Sequence, residues 1–151
     1  MGRLRRVTLQ TFDEVIDDVT RLRTAGYAAG GRWNLSQVCD HLTGTMRLGL
    51  DGDQPRVAWA VRKAFGVLLA VILARRAMVS GAPTLPRLTP EALTEDDPQR
   101  IDRCLATLAE ARDFAGPLPP YPLCDNMTLD KWKRLMVIHA QHHLGFLGAP
   151  G

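Results

Sequence analysis

The chain carries His41, His139, His142 and His143 and no other histidine. The last three crowd into one short stretch, and a period of 3.6 places that stretch on a helix. Residues four apart on a helix lie about 40° apart around the axis and about 6 Å along it. His139 and His143 therefore share a face. That face continues Trp132, Leu135, Met136 and Phe146, so it is expected to point inward. His142 points more to the side. His41 continues the apolar stripe of Val38, Leu42 and Thr45 on another helix. If the two helices are neighbours, His41, His139 and His143 converge as a ligand set for a divalent ion. Imidazole suits zinc or nickel, and nothing in the sequence chooses between them. Three protein nitrogens leave a coordination position for water or substrate. Burying three imidazoles without a cation leaves donors or acceptors unmatched, and charging them together adds repulsion.

A plainer reading stands beside this one. His41 can be a satisfied core histidine, and the group at 139–143 can face solvent near a helix C-terminus, where the dipole favours it. The motif His139-Ala140-Gln141-His142-His143 also lacks the Glu of His-Glu-x-x-His hydrolases, and so their general base. Asp40 adjoins His41 but points roughly 100° away around the helix. His142 is the nearest candidate for a proton shuttle. Gln37 and Thr45 lie one turn on either side of His41 and can orient a water or its second nitrogen. Gln37 has a simpler use in a helix cap. Trp132 and Met136 are expected in the cavity wall as well as the core. Cys39 points away from the His41 face, Cys104 reads as core, and Cys124 is the cysteine expected to be exposed.

Helices must position these groups. The first is expected over about 11–24, with Phe12, Val15, Ile16, Val19 and Leu22 as its buried stripe. The second starts after Asn34, a cap paired with Gln37 in a capping box, with Trp33 stapled to Val38, and runs to about Leu50. Asp51-Gly52-Asp53 reads as a turn. A third covers about 57–79 and is apolar all round at its centre, which predicts cover on most sides. Gly81-Ala82-Pro83, Pro86 and Pro90 make a stiff loop. The fourth runs from about Pro98 to Phe114 behind an Asp97 cap, with Ile101, Leu105 and Leu108 buried. Prolines over 116–122 break the chain again. The last helix begins after the Thr128 cap and is closed by Gly148 and Pro150. No strand is convincing. The expectation is an all-α bundle forming one domain over 1–151, with the third segment as an added crossover helix.

Composition removes other classes. Nineteen Lys and Arg against sixteen Asp and Glu give a charge of only +3. Three of the basic residues are Arg3, Arg5 and Arg6. No concentrated basic face with stacking aromatics is visible, so nucleic acid is not an expected partner. Three widely spaced cysteines form neither a disulfide framework nor a Cys-x-x-Cys pair. The start of the chain lacks the apolar run of a secretory signal, and the cytoplasm is the expected location. The uncharged run Ala64–Ala74 is too short to span a bilayer. Its flanks, Arg62, Lys63, Arg75 and Arg76, leave association of residues 57–79 with an anionic membrane surface as the weakest of the readings.

The stretch from Trp33-Asn34 through Gln37 to His41-Leu42 resembles the second-helix signature of the DinB/YfiT-like superfamily. The stretch from Thr128 and Trp132 to His139-Ala140-Gln141-His142-His143-Leu144 resembles its last helix, in an uncharacterised branch. Arg75-Arg76 followed by Ser80-Gly81 and a Pro-rich loop fits that branch too. The resemblance implies an up-down-down-up four-helix bundle, often a homodimer, with metal held by His41, His139 and His143. Characterised relatives include transferases and isomerases that use a low-molecular-weight thiol, and others are metal-dependent hydrolases. It implies a site rather than a substrate. A metal-dependent enzyme acting on a small molecule is the leading expectation. The alternative is a non-catalytic metal sensor or structural dimer module.

Overall fold

The computed structural model describes residues 5–52, 54–79 and 85–149. Asp53, Ser80-Gly81, Pro83 and Pro150, which the sequence assigns to turns and loops, lie outside the described residues, as does Arg3. Helix α1 spans Phe12–Ala25, α2 Leu35–Leu50, α3 Trp59–Arg75, α4 Pro98–Asp113 and α5 Leu129–Leu144. Their starts follow from local chemistry. Thr11, Asn34, Asp97 and Thr128 each accept a backbone N–H of the first turn, which removes one orphan donor per helix. At α2 the capping box is complete, since Gln37 Oε1 also accepts from the Asn34 N–H at 2.9 Å.

Pairs of residues across the interfaces establish the direction of each helix. On α1 and α4, Arg23 meets Asp102 while Asp13 meets Arg112, so these two run antiparallel. On α2 and α4, Asp40 pairs with Arg100 and Arg47 with Glu110, so these run parallel. On α2 and α5, His41 meets His139 while Gly49 lies against Trp132, so these run antiparallel. The bundle α1, α2, α4, α5 is therefore up-down-down-up. Its interior holds Val15, Val19, Leu22, Leu35, Val38, Ile101, Leu108, Trp132 and Leu144, all essentially removed from solvent. Removing these apolar surfaces from water is the main force holding the bundle together.

Helix α3 is the added crossover helix, but it is shorter and barer than its composition suggests. Arg76 takes a left-handed conformation at φ 52° and ends it, so residues 76–79 lie outside the helix. Only Leu69 and Ile72 are buried, whereas Trp59, Val61, Val67 and Val71 stay exposed. The reason is geometric. Four helices already close the core, so α3 packs along one side, against α5 and the loop at 121–125, and its other side stays exposed.

The last helix also ends before the sequence pattern does. Gly145 caps it, and Phe146 lies beyond it. Leu147 and Gly148 then pair antiparallel with Ala29 and Ala28, a small ladder that the sequence does not announce. Beside it, Arg5 forks onto Asp18 at 2.5 and 2.7 Å and donates to the Leu144 and Leu147 carbonyls. This basic residue is structural.

Candidate metal centre

Helices α2 and α5 bring His41, His139 and His143 together. His139 Nε2 lies 3.1 Å from His41 Nε2 and 3.0 Å from His143 Nε2, and one ligand nitrogen from each ring falls within 4.8 Å of the others. Tetrahedral coordination at the usual zinc–nitrogen length separates two ligand nitrogens by about 3.3 Å, close to these distances.

A chain of bonds leads back from this cluster. His41 Nδ1 lies 2.9 Å from the Leu88 carbonyl oxygen. A carbonyl only accepts, so Nδ1 carries the ring proton and Nε2 presents a lone pair to the cluster. Leu88 closes a single 3₁₀ turn, Pro86–Leu88, within the Pro-rich loop. Its side chain reaches α2 at Gly44, where a Cβ would come within 3.1 Å of Leu88 Cδ2.

The cluster does not satisfy itself. His139 Nε2 faces two other ring nitrogens, and one ring proton serves one of those contacts at a time. His139 Nδ1 is buried with no partner. With the His41 proton held on Nδ1, no assignment of neutral tautomers gives both Nε2 contacts a proton, and protonation does not help. Burial, then the charges of His143 and His41, holds His139 well below the ordinary histidine value of 6.5. Burial also lowers His41, against the Leu88 bond, and pushes His143 down to about 3. Three neutral rings with converging lone pairs fit a divalent cation. The triad is a cluster capable of chelating one.

Trp33 roofs the cluster. Its ring stacks on His143 at 5.5 Å and leans on His41 at 5.0 Å. Local spacing marks Trp33 as a staple to Val38, and the family resemblance includes it without giving it a role at the cluster. Its second use depends on how α2 and α5 pack, which spacing along one helix does not reveal. Leu88 was hidden for the same reason, because a backbone carbonyl has no sequence signature.

A cavity of about 180 Å³ opens beside the triad. His41, His139, His142, Thr45 and Met136 line it, His142 among them although spacing places it more to the side of its helix. Trp132 does not. It sits fully buried in the core with its indole against Gly49, toward the far end of α5. The Thr45 hydroxyl donates to the His41 carbonyl one turn back at 2.9 Å, so its proton is engaged on its own helix. Gln37 uses both ends of its amide in the cap and on the Glu91 carbonyl at 3.0 Å. Asp40 is paired with Arg100, away from the triad. Cys39 faces Cys104 across α2 and α4, and Cys124 is buried rather than exposed.

The sequence profile of a family described as a protein of unknown function, DUF1569, matches residues 1–149. The chain belongs to the DUF1569 family. No curated protein and no solved structure matches it. Within this DUF1569 chain, the histidine cluster is the group whose geometry calls for a ligand. No helix among the described residues is long and apolar enough to cross a membrane.

Proposed function

We propose that the protein is a divalent-metal-dependent enzyme acting on a small molecule, with His41, His139 and His143 as the ligands of zinc or nickel. The observation that carries this is the convergence of the ring nitrogens, with His139 Nε2 facing both His41 Nε2 and His143 Nε2 at hydrogen-bond distance with one proton between them. A bound divalent ion would lower the pKa of a thiol or a water at its open position. The chain's own groups supply the rest. Leu88 holds the His41 tautomer, Trp33 covers one side, and the apolar cavity restricts water on the other. His142 lines the cavity, and burial lowers its pKa, so it is a neutral base there. It is suited to accept a proton from a bound substrate.

The up-down-down-up bundle, with one ligand from α2 and two from α5, supports membership of the DinB/YfiT-like superfamily. Within it, S-transfer from a low-molecular-weight thiol is favoured over hydrolysis by analogy alone. The exposed apolar side of α3 supports a homodimer, and buried free cysteines suit a reducing cytoplasm.

Elemental analysis of the untagged protein tests the ligand set. About one zinc or nickel per chain, lost in His41→Ala and His143→Ala but kept in His142→Ala, is the expected result. Equal loss in His142→Ala overturns the assignment of the α5 face. Stoichiometric metal with no turnover across thiols, electrophiles, esters and amides would favour the non-catalytic sensor.

A further inference from the structure

We propose that the cavity beside the triad takes an uncharged, mainly apolar molecule about the size of one substituted ring, held by a hydrogen bond to the Tyr121 hydroxyl. This deepens the functional reading above and rests on it only for the chemistry at the imidazole end.

Size comes first. A dry apolar cavity of about 150 Å³ accommodates benzene. The cavity here is about 180 Å³, which admits a ring with a small substituent. Its walls come from α2, α3, α5 and the two Pro-rich loops, and beyond the imidazole end they are apolar, through residues such as Phe65, Leu68, Ile72, Leu88 and Leu135. No Asp, Glu, Lys or Arg lines it among the described residues. A cation entering would lose its hydration with no carboxylate in the wall to offset it, and away from the imidazole end an anion would meet no counter-charge either, which disfavours charged ligands over most of the cavity.

The polar handle is Tyr121. This side chain lines the cavity and is only 3% exposed. Its hydroxyl makes no hydrogen bond among the described residues, yet it is not among the fully enclosed unpartnered atoms, so it stays open to a partner that enters the cavity. Burial pushes its pKa up, so it remains a donor at neutral pH. A ligand oxygen would satisfy it. Tyr121 belongs to the loop before α5, a segment that the sequence marks only by its prolines.

The test uses the full-length, metal-loaded protein and three probes of similar size: 4-ethylphenol, its cationic counterpart tyramine, and ethylbenzene. Binding is read by calorimetry and saturation-transfer NMR. 4-Ethylphenol is expected to bind at least about 10-fold more tightly than tyramine. Tyr121→Phe should weaken 4-ethylphenol about 3- to 10-fold and leave ethylbenzene unchanged. Leu68→Trp, which fills the space, should abolish binding of both. Tyramine binding as tightly as 4-ethylphenol, no binding of any probe at millimolar concentration, or a Tyr121→Phe chain indistinguishable from the parent would each overturn the proposal. Metal content is measured on the same samples. Ligand binding without metal overturns the metal reading alone, and metal without ligand binding overturns this one alone.

Discussion

His41 Nδ1 donates to the Leu88 carbonyl at 2.9 Å, so a loop of one 3₁₀ turn decides which nitrogen of a helical histidine is free to ligate. The loop is held against α2 where Gly44 leaves room for the Leu88 side chain. Gly44→Val should push Leu88 outward, release the ring and weaken zinc binding by about 10-fold, the low end for loss of a ligand's supporting bond. Adding Leu88→Ala removes the clash and keeps the carbonyl, so the double variant should recover. A competition titration with a chelator measures both, and a Gly44→Val chain with parental affinity would show that the bond is not needed.

The same cluster makes the metal-free protein acid-sensitive. His41, His139 and His143 all have folded pKa values below 6.5 because burial disfavours their charged forms. The unfolded chain therefore binds more protons than the folded one at pH values below about 6.5, and folding stability falls there with falling pH. The loss is at most about 1.4 kcal/mol per pH unit for each ring, and it ends only near the folded values. Urea denaturation of the metal-free protein should be flat from pH 7 to 8 and fall steadily below about 6.5. Zinc should raise the midpoint at pH 7 and lose that effect as protons compete for the nitrogens. A pH-independent midpoint between 4 and 7 would contradict the buried, neutral triad.

Gly49 and Trp132 lock the other end of the α2–α5 interface. A Cβ at Gly49 would fall 2.3 Å from Trp132 Nε1 and 2.5 Å from Cε2, which no rotamer of a fully buried indole relieves cheaply. Gly49→Ala should cost about 2–3 kcal/mol through overpacking. Because the same two helices carry the ligands, metal affinity should fall with it. Thermal unfolding and zinc titration of this one variant check both, and a neutral substitution would mean that the helices separate more easily than this packing implies.

The parts of this architecture legible in the sequence are those encoded along one helix. The caps at Asn34, Asp97 and Thr128 lie next to the segments they start, and His139 and His143 share a face by spacing alone, whereas Thr11, read as the first residue of its helix, is its cap. What spacing does not encode is how elements meet. Leu88 contributes a backbone atom, Trp33 acts from the loop before α2, and Tyr121 from a loop with no period at all. Trp132 continued the inward stripe, but an inward residue meets core or cavity according to its height along the bundle. Helix α3 misleads for a related reason, since an apolar composition states that a face prefers cover without saying that the fold provides it.

That uncovered face supports a specific association. Ala60, Ala64, Val67, Val71 and Ala74 are exposed on α3 and recur at spacings of four and three, the seam of a helix pair with small knobs. A second copy offers the same strip, so a two-fold pairing is self-complementary. Sedimentation of the native chain should show a dimer, and Val67→Glu should convert it to monomer without loss of helix content or metal. A monomeric native chain that floats with anionic vesicles would instead assign the face to a lipid surface.

The Arg5–Asp18 pair ties the start of the chain to the end of α5. Asp18 is buried, which by itself would raise its pKa, but the bonds and charges of Arg5 and Arg21 outweigh that and hold it below 3.8. A carboxylate with a lowered folded pKa adds stability above its unfolded value, and that contribution is lost as pH falls through the folded one. Asp18→Ala leaves Arg5 unpaired in a partly buried position and should cost about 3 kcal/mol. Since Arg5 also donates to the Leu144 and Leu147 carbonyls, amide exchange should accelerate in residues 5–9 and in the ladder at 147–148. Arg5→Lys should reproduce most of this, because an ammonium cannot fork onto the carboxylate while reaching both carbonyls. If exchange quickens only around Asp18 and not at 147–148, the arginine is a local ion-pair partner and does not clasp the two ends.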